Sequence, residues 1–71
     1  SVMVWFSRND LRKLSALCQS RKADAQAIFD SDTASDTEKS LAKWEIDRMT
    51  QLSAKLEEVA NSNARRVEIT F

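Results

Sequence analysis

The chain contains no glycine and no proline in 71 residues. Average usage would place about five glycines and three or four prolines in this length. Without them the usual turn punctuation is missing, which predicts long, uninterrupted elements. Every Gly-rich phosphate-binding loop is excluded, because those loops need backbone geometry that glycine supplies. Histidine is absent and cysteine occurs once, at Cys18. An intrachain disulfide is therefore impossible, a structural zinc site lacks its usual ligands, and no imidazole is present to activate a nucleophile. No cofactor or small-molecule substrate is expected.

No apolar run approaches the ~20 residues of a membrane span, so no membrane association is expected. The opening VMVWF is too short for the core of a secretion signal. A single thiol fits a reducing compartment, and the cytoplasm is the expected location. Eleven basic and eleven acidic residues cancel. The first thirty residues carry five positive and three negative charges, and residues 31–64 carry four and seven. This mild asymmetry favours antiparallel contact between the halves, and it is too weak to predict a nucleic-acid partner.

The expected fold class is mainly α (α+β), as a single domain over residues 1–71. A chain this short buries only about 60% of its unfolded surface, so oligomerisation or unusually good helix packing is expected. In SRND, Ser7 caps a first helix at about residues 8–29, with Asp10 completing a capping-box-like pair. Leu11, Leu14, Leu17, Cys18, Ala25, Ile28 and Phe29 fall near one helical stripe. Arg21 interrupts it and is expected to turn outward. The polar tract at about residues 30–35 is the connection. Ser35 and Glu38 form the capping box of a second helix, at about residues 36–61. Along it Ala42, Ile46, Met49, Ser53, Leu56 and Ala60 step by 4, 3, 4, 3, 4, with Leu52 and Val59 beside them, a coiled-coil-like seam. The NSN at 61–63 is expected to end this helix through a left-handed residue. Two helices of this length joined by a short polar loop lie antiparallel, as a hairpin.

Both ends alternate with period two. Val2, Val4 and Phe6 share one face, opposite Met3 and Trp5; Val67, Ile69 and Phe71 share one face, opposite Glu68 and Thr70. Strands at about 2–6 and 66–71 are expected to pair antiparallel, giving β-α-α-β and covering the helical seam. A two-stranded sheet leaves two open edges, so a second copy or a partner's strand is expected beside it.

Few residues carry chemistry. Cys18 lies on the apolar stripe and reads as core packing. Glu57–Glu58 and Asp30–Asp32 are scattered, solvated carboxylates with nothing to bring them to a pocket, as acid/base work requires. Thr33 or Ser35 matches an acidic-directed phosphorylation pattern, but capping explains the same residues. Trp44 lies off the seam near Leu41, one turn before Arg48. The two either stack as a cation–π pair or offer an exposed binding anchor. Met3, Trp5, Leu41, Trp44 and Arg48 are accordingly the candidate partner interface.

The strand–helix–helix order is similar to that of ribbon–helix–helix DNA-binding regulators, which dimerise through an N-terminal strand. Their outward strand residues are basic or polar, whereas Ser1, Met3, Trp5 and Ser7 stand here, and these helices are longer. The expected function is a non-enzymatic interaction or regulatory module: an adaptor, inhibitor or chaperone-like partner acting as a homodimer. The alternative is a dimeric nucleic-acid-binding transcriptional regulator.

Overall fold

The structure is a computed structural model that describes residues 3–62 together with the backbone of 66–70. It is mainly helical. The strand β1 (Met3–Ser7) leads directly into α1 (Arg8–Phe29), and residues 30–35 connect α1 to α2 (Asp36–Ala60). The backbone of β2 (Arg66–Thr70) lies antiparallel to β1, with Met3 opposite Thr70, Trp5 opposite Glu68 and Ser7 opposite Arg66. The expectations placed on Val2, Asn63 and Phe71, and on the Val67 and Ile69 side chains, lie outside the described residues.

Each helix starts where its capping box dictates. The Ser7 N–H donates to Asp10 Oδ2 at 3.0 Å, and the Asp10 N–H returns a bond to Ser7 Oγ at 3.1 Å. Ser35 and Glu38 repeat the exchange at 3.1 Å in both directions. Four amide donors that the helical ladder leaves over are thereby satisfied. The backbone N–H of the capping serine, followed by its hydroxyl, holds both the Asp10 and the Glu38 carboxyl below its ordinary pKa.

The expected left-handed stop at the end of α2 is not what forms at Asn61. Asn61 is right-handed (φ −86°, ψ −2°), and no residue among those described has positive φ. The Asn61 N–H reaches Glu57 O at 2.9 Å and the Ser62 N–H reaches Val59 O at 3.1 Å. The chain leaves the helix by tightening its last turn, which costs a non-glycine residue no steric strain.

The two helices pack along a seam of small side chains. Leu11, Ser15 and Ala25 of α1 meet Ala42, Ile46, Ser53 and Ala60 of α2, all buried, with Ala60 fully so. Met49, Leu52, Leu56 and Val59 are half-buried at its flanks. Only Leu11 and Ile46 of these are large, and only Leu11 is fully enclosed, so burial contributes at most roughly 1.5–3 kcal/mol at each of two positions.

Three members of the expected α1 stripe are exposed instead: Leu17 (65%), Ile28 (43%) and Phe29 (38%). Leu17 stands one residue, about 100°, from Cys18 and so points along the open face of the hairpin. Ile28 stands on the same flank. Phe29 keeps the phase of the seam but falls in the last turn, where it is little covered by α2. The true seam of α1 runs Leu11, Ser15, Cys18, Lys22, Ala25, with Cys18 and Lys22 half-buried.

Candidate functional site: an apolar face at the loop end of the hairpin

Antiparallel packing with residues 30–35 at one end brings Ile28 of α1 beside Leu41 and Trp44 of α2. Between them lies a groove of about 290 Å³. Its floor is Ala25 and Ala42, whose short side chains let the helices approach and leave the depression. Its apolar walls are Ile28, Leu41 and Trp44, and its rim carries Arg21, Glu38 and Glu45. Leu41 is 65% exposed and Trp44 64%. Leu17 extends the same flank of α1 towards the middle of the hairpin.

At the rim Arg21 Nε donates to Glu45 Oε1 at 2.8 Å, the only ion pair between the helices among the described residues. The Glu45 hydrogen bond, then its charge, raises the guanidinium pKa above its ordinary value. The pair is largely exposed on the arginine side, where such pairs contribute 0–1 kcal/mol. Its chief effect is to set both charges at one level on the open face.

The five residues expected at the interface divide into two groups. Leu41 and Trp44 share the groove. Arg48 is exposed one turn further along α2 and is not part of its lining. Met3 and Trp5 point outward from β1, at 62% and 56% exposure, while Val4 and Phe6 are half-buried. They belong to the opposite end of the molecule: from Arg8 to Ala25 the helix rises roughly 25 Å. Ile28 and Leu17, which complete the groove face, are the residues whose apolar character suggests the core stripe in the sequence.

Cys18 is half-buried on the seam. Asp30 accepts both of its bonds from the Gln26 amide, at 3.1 Å each. Glu57 and Glu58 are exposed on adjacent positions of α2. Among the described residues no three His, Cys, Asp or Glu side chains gather as a metal site would require, and no helix is long and apolar enough to cross a membrane. On the other flank, Lys39 and Lys43 border a shallower depression with Asp36, and Lys43 is tied to Asp47 at 3.1 Å. No protein-family model, curated protein or solved structure matches this chain.

Proposed function

We propose that the chain is a small, non-enzymatic protein–protein interaction module whose docking surface is the apolar face at the loop end of the hairpin. The observation that supports this reading is the pairing of Leu41 and Trp44, two large apolar side chains each about two-thirds exposed, over one groove. Exposed apolar patches of this kind mark binding surfaces, and tryptophan is enriched among residues that dominate binding energy. Charge stands only at the rim, where it orients a partner more than it adds affinity.

The terminal strands belong to the same proposal as its framework. Paired antiparallel in a β-α-α-β closure, they tie the open end of the hairpin, and their outward Met3 and Trp5 offer a second, smaller contact. The module would act as a homodimer or on a partner in the role of adaptor, inhibitor or chaperone-like protein, in the cytoplasm.

The rival reading, a dimeric nucleic-acid-binding regulator, has less behind it. Lys43 is already paired to Asp47, and Asp36 accompanies the lysines of that flank. Phosphate binding needs unopposed cations and makes affinity fall steeply with salt.

The test is affinity capture from source cells with the wild type and with a Leu41→Ser/Trp44→Ser double variant, at ~50 and ~200 mM salt. A protein partner, or a second copy, held by the wild type at both salts and lost by the variant is the expected result. Equal capture by both chains, or capture of nucleic acid that vanishes at the higher salt, would overturn the reading.

A further inference from the structure

The groove face carries one more inference, which rests on reading that face as a protein-docking surface. We infer that its occupant is a second copy of this chain, related by a two-fold axis running parallel to the hairpin. The two copies form a four-helix bundle with both connecting loops at the same end.

Thickness gives the first argument. The Cα extents are 45 × 26 × 13 Å, so the loop half of the hairpin is a single layer of helices. Stable domains bury an apolar face against a second layer. Leu17, Ile28, Leu41 and Trp44 have no such layer within the described residues. A second hairpin laid on that face supplies it, and because the chain carries no net charge, a second copy brings no overall repulsion.

Charge selects the arrangement. Arg21 and Glu45 sit at one level of the hairpin, 2.8 Å apart. A two-fold axis along the hairpin lays α1 of one copy over α2 of the other at the same level. Arg21 then meets Glu45 of the second copy, and the four charges alternate in sign. Ile28 meets Leu41 and Trp44, so apolar wall meets apolar wall. A two-fold axis across the helices instead stacks each helix on its own copy. At the level of the pair it sets Arg21 against Arg21 and Glu45 against Glu45. Like charges in direct opposition are disfavoured at an interface.

Size sets the affinity. From Leu17 to Ile28 the helix rises about 16 Å, and two helices side by side are roughly 20 Å wide. Each copy therefore contributes about 320 Å², roughly 650 Å² in all, which is below the range of stable specific interfaces and fits only a weak, transient association. The dimer is expected to be weaker than the micromolar limit of interfaces of ~1,600 Å², with dissociation on the order of 100 µM.

Sedimentation equilibrium across roughly this range tests the association, and dipolar electron-spin spectroscopy tests its geometry. For the latter, Thr33→Cys is spin-labelled in a Cys18→Ala background. The expected result is a reversible dimer weakened at least tenfold by Trp44→Ser and by Leu41→Ser, with helicity unchanged because both side chains are exposed. The label separation should be about 10–25 Å, one interhelix spacing or its diagonal plus the reach of the two labels. Opposite-end packing about the level of Arg21 would separate the labels by twice the rise from Arg21 to the loop, roughly 30–35 Å, and that result overturns the arrangement. A monomer at every concentration, or a dimer indifferent to both serine variants, overturns the self-association. Should the monomer still lose its cellular partner on Leu41→Ser/Trp44→Ser, the docking surface stands and the second copy falls.

Discussion

Ser15 and Ser53 meet across the seam of the hairpin with their hydroxyl oxygens 3.0 Å apart, both side chains buried. Gln19 Nε2 donates to Ser53 Oγ at 2.7 Å from the edge of the same contact. No buried side-chain polar atom among the described residues lacks a partner. Ser53 is the hub of this network, because it bonds to two residues of α1. Ser53→Ala should therefore cost about 1–3 kcal/mol, the desolvation penalty of groups left unsatisfied. Ser15→Ala/Ser53→Ala removes both hydroxyls and should cost less than the sum of the singles. A double-mutant cycle in urea checks this, and strict additivity would show that the two hydroxyls do not interact.

Leu11 is 2% exposed and has the largest fully buried side chain, whereas Leu17 is open to solvent. Leu11→Ala should cost about 2–5 kcal/mol and Leu17→Ala less than about 0.5 kcal/mol. Met49→Ala and Leu56→Ala, at half-buried positions, should fall between these limits. Equal losses at Leu11 and Leu17, followed by circular dichroism through a urea titration, would show that the phase of α1 is misassigned.

The capping boxes predict a dependence on acid. Asp10 and Glu38 ordinarily titrate near 3.8 and 4.5, and both are depressed in the folded chain. A group depressed on folding contributes stability fully above its unfolded value, and that contribution disappears as pH falls through the folded value. Stability should decline from about pH 5 downward, and Glu38→Gln should flatten part of that decline. Ser35→Ala should cost about 1 kcal/mol at neutral pH. An unchanged slope below pH 5 in the Glu38→Gln variant would remove the cap as its origin.

The two tryptophans separate two surfaces. Trp5→Ser acts on the strand end and Trp44→Ser on the loop end, and neither side chain is enclosed. Both variants should keep the helical circular dichroism of the parent. If Trp5→Ser unfolds the chain, the outward and inward faces of β1 are reversed. If Trp5→Ser weakens association as much as Trp44→Ser does, the strand face shares the interface equally.

The helices were legible because they carry their own start signals: Ser7 with Asp10, and Ser35 with Glu38, each appear as an S-x-x-acid pattern before an apolar run. The seam of α2 was legible because Ala42, Ile46, Met49, Ser53, Leu56 and Ala60 hold a strict 4, 3, 4, 3, 4 spacing. The same spacing runs through Leu11, Ser15, Cys18, Lys22, Ala25 and Phe29, but hydrophobicity obscured it. A serine and a lysine occupy seam positions, while Leu17 and Ile28, more apolar, lie on the flank. Reading α1 by spacing instead of by apolar content would have placed Ser15 inside and Leu17 outside. The groove itself was not legible, because it depends on which residue of α1 stands level with which residue of α2. Alternation at the ends of the chain, by contrast, predicted the outward direction of Met3 and Trp5.

The hairpin also sets an order of events along the chain. The Arg21–Glu45 contact closes 24 residues, Ser15–Ser53 closes 38, and the bond from Arg8 Nη2 to Ser62 O, at 2.7 Å, closes 54. Sequence separation thus grows steadily from the loop towards the termini, and the entropy of closing each contact grows with it. Once the pair nearest the loop has formed, every later contact adds only a short increment of chain, as in a zipper. Destabilising changes near Ala25 and Ala42 should therefore slow folding, whereas those near Leu11 and Ala60 should mainly speed unfolding. The most protected side chain of the seam, Ala60, would then be among the last to be covered and the first to be released.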